Sequence, residues 1–237
     1  MMRLSLLAAA LLAAGCQQGP KGDSYFPLTV GSTWTYDVMT DIDGTVTHDV
    51  HEHSVTRTID YEGGGTVIVR RNEVPGSVGI EYWLRMDRVG ISRIAQRSDI
   101  DEQARLDPNA RTVLKLPLTA GASWLVPSQP FTIGPKADLG QRAIKMPKVL
   151  MNNTVEAMDE VVTVPAGTFK QCARIEGVGN LALYLDAITG FKDIPIVNRE
   201  WYCKGVGLVK VERVESLASS FFSGGKVVME LTAYQLP

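Results

Sequence analysis

The sequence predicts a mainly β fold, built from antiparallel strands with long loops and little helix. β-branched and aromatic residues recur throughout the chain, with turn-forming residues at short intervals, as expected for strands joined by tight turns. Helical periodicity is nearly absent, and its best candidates are the short segments 101–106 and 181–188. An element containing Pro, Gly and Trp occurs twice. The 237 residues are enough for a single β domain with a sizeable core after residue 24.

Residues 1–15 are predicted to be an export signal peptide. A basic residue, Arg3, precedes an apolar stretch that is too short to span a bilayer, and small residues precede Cys16. Residues 16–24 are polar, contain Gly and Pro, and are interpreted as a tether. The formal net charge of -2, without a run of Lys or Arg, excludes a basic surface for nucleic acid. Attachment to a membrane therefore has to come from lipid.

The segment Ala13-Ala14-Gly15-Cys16 resembles the lipobox of bacterial lipoproteins. The resemblance implies cleavage before Cys16, a diacylglyceryl group on its sulfur and an acyl chain such as palmitate on its amine. Two or more acyl chains anchor a protein stably. Since Gln17 and not Asp follows Cys16, the resemblance also implies sorting to the outer membrane, on the periplasmic side, with surface exposure left open. An ordinary secretory signal with an accidental Cys16 is the alternative.

Residues 25–237 are interpreted as a single β domain with an internal repeat at 26–34 and 116–124. Both copies contain Pro-Leu-Thr-x-Gly-x-x-Trp. Pro favours an extended entry, Gly permits a tight turn, and Trp begins a strand with a large ring that is suited to burial. We therefore predict two equivalent corners of one core, with Trp34 and Trp124 both buried. Segments 127–147 and 180–198 are predicted to be long connections, where binding sites are often found.

Two cysteines remain after Cys16, an even number that suits an oxidising compartment. In a strand, Cys172 shares a face with Lys170 and Arg174, so we predict a polar face, where a buried core thiol is not expected. We interpret Cys172 and Cys203 as a disulfide. Free thiols are one alternative, and a catalytic Cys, which would need a helix N-terminus or a neighbouring His, is the other.

All three histidines lie between residues 48 and 53. In a strand, Asp49, His51 and His53 share a face, and neighbouring members are roughly 6.8 Å apart, a spacing that suits Zn or Cu. A solvated polar face is the competing interpretation. The sequence has no nucleophile elbow and no phosphate-binding loop, and we expect neither a cofactor nor enzymatic activity.

Three elements of the chain resemble a large group of uncharacterised bacterial lipoproteins and secreted proteins. They are Phe-Pro-Leu-x-x-Gly-x-x-Trp-x-Tyr at 26–36, Val-Pro-Ala-Gly-Thr-Phe at 164–169 and Gly-Val-Gly-Leu-Val-Lys at 205–210. The resemblance implies an antiparallel sheet that is curled as a half-barrel. It also implies an envelope lipoprotein that acts as a non-catalytic binding or structural accessory to an envelope protein partner. A carrier or shield for an apolar ligand, such as an acyl chain, is the second hypothesis, and metal binding through His51 and His53 is the third.

Overall fold

The computed structural model describes residues 24–61, 65–136 and 146–237, which form twelve strands. The strands are β1 (Thr33–Ile42), β2 (Thr45–Asp60), β3 (Thr66–Glu73), β4 (Ile80–Met86), β5 (Gly90–Ser98), β6 (Arg105–Lys115), β7 (Ser123–Ser128), β8 (Val149–Val164), β9 (Gly167–Asp186), β10 (Gly190–Cys203), β11 (Gly207–Glu215) and β12 (Gly225–Gln235). No helix long and apolar enough to cross a bilayer occurs in these ranges. The predicted signal peptide and Cys16 lie outside the described residues.

All twelve strands belong to one antiparallel sheet, in the order β6-β5-β4-β3-β2-β1-β12-β11-β10-β9-β8-β7. This order describes two six-stranded meanders, β1–β6 and β7–β12, joined where β1 pairs with β12. The sheet curls until its edge strands approach each other, and Lys115 Nζ at the end of β6 donates to Ser123 O at the start of β7 over 3.0 Å. The predicted mainly β, curled antiparallel fold is confirmed, and the curl is nearly closed.

The two copies of the repeat form the same turn at the start of each meander. Gly31 N donates to Val55 O over 2.9 Å, and Gly121 N donates to Val155 O over 2.8 Å. Both glycines have positive φ, 92° and 80°, which a residue with a side chain rarely adopts. The partner strand then contains a register shift immediately after Val55 in β2 and after Val155 in β8. The same local geometry therefore begins both halves of the sheet.

The four tryptophans of the chain occupy two pairs of equivalent positions. Trp34 and Trp124 begin β1 and β7, while Trp83 and Trp201 each precede a register shift in the fourth strand of their half. Trp34 is buried, with 4% exposure, as predicted. Trp124 is only half-buried, so that prediction was wrong. The reason is topological, because β1 has a neighbour on both sides whereas β7 is an edge strand.

The segment from 180 to 198 is not a connection, because it forms the β9–β10 hairpin. Leu181, Leu183 and Leu185 are buried while Ala182 and Tyr184 between them are exposed. This two-residue alternation belongs to a strand, so the helix suggested for 181–188 was wrong. The helix suggested for 101–106 was also wrong, since a turn there leads into β6. Residues 129–136 do form a connection after β7, and the rest of 127–147 up to β8 lies mostly outside the described residues.

Cys172 in β9 and Cys203 in β10 are directly opposite each other and form a disulfide. Both are fully buried in the core, so the expectation that Cys172 is not a buried thiol was wrong, although Cys172 does share the face of Arg174, since the pairing of β9 with β10 has no register shift between them. The preceding residue, Gln171, has φ of 55°, in the left-handed region that only a few per cent of non-glycine residues adopt. Gln171 coincides with an irregularity in the pairing of β9 with β8, between Phe169 and Cys172.

Candidate functional site

The interior of the curled sheet contains a cavity of about 690 Å³. Strands of the first half form one wall, and β7, β8, β10 and β11 contribute to the other. Apolar side chains such as Phe26, Leu84 and Leu208 line part of it. The charged residues of the lining are Arg70, Arg93, Asp107, Arg111, Lys148 and Glu200. The interior is therefore a space of ligand size with a mixed and largely polar wall.

Strand register explains how distant residues come together on this wall. Residues paired across neighbouring antiparallel strands point to the same face of the sheet. One row crosses four strands and contains Val55, Arg70, Tyr82 and Gln96. A second row contains Leu84, Arg93 and Arg111. Cationic side chains therefore follow the inner face of the first half from β3 to β6.

Arg70, which belongs to the first row, contacts His53. Its guanidinium donates to Nδ1 of His53 and lies 5.3 Å from the ring centroid of Phe26 and 5.9 Å from that of Trp34. Burial, and then the charge of Arg70, hold the pKa of His53 well below its ordinary value. His53 is therefore neutral at pH 7, with its proton on Nε2. The buried Nε of Arg70 has no hydrogen-bond partner among the described residues.

The predicted metal ligands Asp49, His51 and His53 do share one face of β2, opposite Val38, Tyr36 and Trp34 of β1. The structure separates their environments, because Asp49 is exposed whereas His53 is buried. Within the described ranges, no group of three or more His, Cys, Asp or Glu side chains is arranged to hold a metal ion. Metal binding there stays a prediction, and it would require His53 Nδ1 to release Arg70.

Arg93 and Arg111 are directly opposite each other on β5 and β6. Arg93 donates two hydrogen bonds, of 2.7 and 2.8 Å, to the carboxylate of Asp107. Arg111 makes neither a hydrogen bond nor a short ion pair within the described part of the chain, and Asp107 attracts it only at longer range. Burial, and then repulsion from Arg93, lower the pKa of Arg111, but a guanidinium remains charged in proteins. One carboxylate thus serves two facing cations.

The opposite wall carries Glu200, which is held by its neighbours. Tyr202 donates to Glu200 Oε2 over 2.7 Å, and Asn198 Nδ2 donates to Oε1 over 2.9 Å. Burial, and then the charge of Glu200, raise the pKa of Tyr202 well above its ordinary value, so Tyr202 stays a hydrogen-bond donor at neutral pH. Both carboxylates of the cavity wall, Asp107 and Glu200, are therefore already engaged by protein groups.

The connection after β7 is fixed to the second half by a buried ion pair. The Glu215 carboxylate accepts hydrogen bonds from Phe131 N and Thr132 N, each at 2.8 Å, and from Arg213 Nε at 2.5 Å. Arg213 Nη2 also donates to Gln129 O over 3.1 Å. Burial disfavours the charge of Glu215, but the Thr132 hydrogen bond and Arg213 outweigh it, and its pKa is lowered. Gln129 and Phe131, which line the cavity, are thereby held in place.

Of the individual side chains that the sequence suggested as ligands, only His53 lines this cavity, and it was given another role. The predicted connection 127–147 also contributes Gln129 and Phe131 to the lining. The predicted disulfide between Cys172 and Cys203 is present in the structure, whereas Cys16 lies outside the described residues.

The buried pair Arg213 and Glu215 was missed, although the sequence contains a signal for it. The two side chains continue, at alternate positions, the apolar face that Val209 begins on β11. Opposite charges at buried positions of one strand indicate an internal ion pair.

Comparison with known proteins adds two similar structures. No protein-family model and no curated protein match the chain. A crystal structure from Bacteroides fragilis, described as an exported protein with a YmcC-like fold, has 14% identity and a TM-score of 0.47 and covers 90% of this chain and 100% of its own. A lipoprotein structure from Parabacteroides distasonis has 15% identity and a TM-score of 0.45 and covers 91% and 100%. At these values we draw no conclusion about function from either.

Proposed function

We propose that this protein is a lipid-anchored protein of the cell envelope that binds a small molecule, without chemical reaction, in its interior cavity. The observation that carries the proposal is the cavity itself, with a volume of about 690 Å³. Binding sites for small molecules are typically clefts of roughly 300–1,000 Å³ that combine apolar walls with a few placed polar groups. Hydrogen bonds among the wall residues hold several of its polar groups in defined positions.

The N-terminal sequence supports the location. Arg3, a short apolar stretch and the lipobox-like residues ending at Cys16 are typical of an exported lipoprotein. We place the protein on the periplasmic side of the outer membrane because Gln17 follows Cys16. Acylated Cys16 would hold the described domain close to the membrane through residues 17–23.

The lining favours an amphiphilic or polar ligand over a bare acyl chain. Phe26, Leu84 and Leu208 offer apolar contacts, so part of a ligand can be apolar. Arg70 and Arg111 share the same space, and burying charged groups against hydrocarbon alone is unfavourable. We therefore propose a ligand that carries polar groups, and not a purely apolar ligand such as a bare acyl chain.

A second role, contact with an envelope protein partner, is favoured by the tip of the β9–β10 hairpin. Tyr184 and Phe191 pack edge to face with ring centroids 5.3 Å apart, and they are 50% and 76% exposed. Ile188 between them is 99% exposed. Exposed apolar groups that cluster in this way often contact other molecules.

Binding can be tested with dansylamide, a neutral fluorophore whose emission changes in apolar surroundings. Protein made from the full chain and purified from membranes is placed in phosphatidylcholine nanodiscs, and empty nanodiscs are the blank. Gln96 lines the cavity, so Gln96→Trp should weaken saturable binding by narrowing the space. Arg97, the next residue on β5, points to the other face, and Arg97→Trp should preserve it. Equal binding by both variants would place the dye outside the cavity and contradict the proposal.

A further inference from the structure

We infer that the ligand of the cavity carries an anionic oxygen group, a carboxylate, phosphate or sulfate, which Arg111 binds together with Arg93. This inference rests on the proposed function and specifies its ligand class. It depends on three features of the wall, which are the facing arginines, the excess of cations, and the prior engagement of every carboxylate in the lining.

The facing arginines are the main evidence. Arg93 and Arg111 are a directly opposed cross-strand pair on the inner face, and like charges in such pairs are destabilising. Asp107 could bridge them, but Arg93 already takes both of its oxygens, at 2.7 and 2.8 Å. The guanidinium of Arg111 therefore presents its donors to the cavity. An anion placed beside it would satisfy those donors and relieve the repulsion.

The excess of positive charge in the lining also supports an anionic ligand. Four cationic side chains line the cavity, Arg70, Arg93, Arg111 and Lys148, against two carboxylates. Both carboxylates are engaged, since Asp107 accepts from Arg93 and Glu200 accepts from Tyr202. His53 adds no charge because burial and Arg70 lower its pKa. An anionic ligand would thus enter a space with a net positive potential.

The chemistry of the donors also limits the ligand. A guanidinium presents its N–H groups in a planar fork that matches two oxygens of a carboxylate, phosphate or sulfate. The apolar residues Phe26, Leu84 and Leu208 on the same wall suit a ligand with an apolar body attached to that group. A lipid with an acidic headgroup and a water-soluble organic acid or phosphate ester share this chemistry.

The test compares dansylglycine, which carries a carboxylate, with dansylamide, which has the same fluorophore without the charge. Both are titrated into the nanodisc protein described above, at low ionic strength. We expect wild type to bind dansylglycine at least about tenfold more tightly than dansylamide, the effect of one hydrogen bond to a charged group. Arg111→Gln should remove this preference.

The matched control is Arg105→Gln, on the same strand. The Arg105 side chain is 66% exposed and pairs with Asp101 at 3.0 Å, so this variant loses the same charge away from the cavity and should retain the tenfold preference. Equal affinity of wild type for the two dyes would overturn the inference and leave the proposed function standing. Failure of both dyes to bind would overturn the proposed function and the inference with it.

The source of the anion is resolved by identifying the molecule that copurifies. Small molecules released from the denatured protein are separated into chloroform and aqueous fractions and identified by mass spectrometry, for wild type and Arg111→Gln. An acidic lipid in the first fraction or an organic anion in the second, depleted in the variant, would each support the inference. A neutral or cationic compound retained equally by both proteins would overturn it.

Discussion

The two halves of the sheet share a framework and differ in what they direct inward. Val55 and Val155 are equivalent, and across the sheet they pair with Arg70 and Ile175 respectively. The next strand continues the contrast, because Leu84 pairs with Arg93 whereas its counterpart Tyr202 pairs with Leu208. At these positions the first half carries the cations Arg70 and Arg93, which line the cavity, whereas the second half carries apolar and aromatic side chains, of which Tyr202 and Leu208 also line it. Since the turns and register shifts are the same, the difference lies in the side chains and points to function.

The largest expected contrast is between the two equivalent tryptophans. Trp34→Ala should destabilise the fold by ~3–5 kcal/mol, the usual loss for a buried aromatic ring, because Trp34 is buried and its Nε1 donates to Val206 O over 2.8 Å. Trp124→Ala should cost clearly less, since Trp124 is half-buried and its Nε1 has no partner among the described residues. Urea unfolding of both variants measures the difference. Equal losses would show that edge position does not distinguish the two corners.

A second contrast concerns cross-linking, because the first half contains no cysteine. Cys172 and Cys203 close a loop with a sequence separation of 31, and their removal as Cys172→Ala/Cys203→Ala should cost ~3 kcal/mol. Hydrogen exchange should then accelerate more in β9 and β10 than in β2 and β3. Ellman titration of the unreduced folded protein should find no free thiol. Uniform acceleration in both halves would contradict a local role for the disulfide.

A third prediction tests the ion pair that holds the connection after β7. The pKa of Glu215 is lowered in the fold, so its charge stabilises the protein above the ordinary pKa of Glu. That contribution is lost as pH falls through the ordinary value towards the folded one. Glu215→Gln keeps the shape and one acceptor oxygen but loses the charge, so it should lower the free energy of unfolding by ~2–3 kcal/mol at pH 7, the size of a hydrogen bond to a charged group. It should also flatten the dependence of stability on pH in the acid range.

The control for this prediction is Glu212→Gln on the same strand. Glu212 pairs with Lys210 at 3.1 Å and remains partly exposed, so its loss should cost ~0–1 kcal/mol. Chemical unfolding between pH 3 and pH 7 measures both variants. An unchanged acid dependence in Glu215→Gln would show that another group is responsible.

Much of the framework could be predicted from sequence, because it depends on local patterns. Alternation and turn residues indicated the early strands, and the repeated Pro-Gly-Trp element indicated the two corners. Gln171 carries no comparable signal, since a positive φ at a residue other than Gly is imposed by its surroundings. The burial of Cys172 on the face of Arg174 likewise depends on packing that the alternation of β9 does not show. The residues that line the cavity could not be predicted from the sequence either. Arg70 and Arg71 are adjacent in sequence, and only the strand pairing shows that Arg70 points inward while Arg71 binds Asp99 outside.

The smallest expected effect comes from Arg70→Ile. This variant gives the first half the residue found at the equivalent position of the second half, Ile175. Arg70→Ile removes a buried charge whose Nε has no partner among the described residues, but it also leaves Nδ1 of His53 without its donor. The two effects oppose each other, so we expect a net change within ~1 kcal/mol. The informative readout is His53. Its pKa is lowered first by burial and then by Arg70, so Arg70→Ile should raise the pKa while leaving it below the ordinary value of His.

Proton linkage gives the direction in which the folding stability changes with pH because of His53, and that change can be measured. In wild type, the unfolded chain binds a proton at His53 as pH falls below the ordinary pKa of His, whereas the folded protein does not, so His53 lowers stability at acid pH. Arg70→Ile should weaken this loss between pH 7 and pH 5. NMR titration of the His53 ring gives the pKa, and urea unfolding at the two pH values gives the stability. An unchanged pKa would show that burial alone keeps His53 neutral. The charge of Arg70 would then have no effect on the protonation of His53.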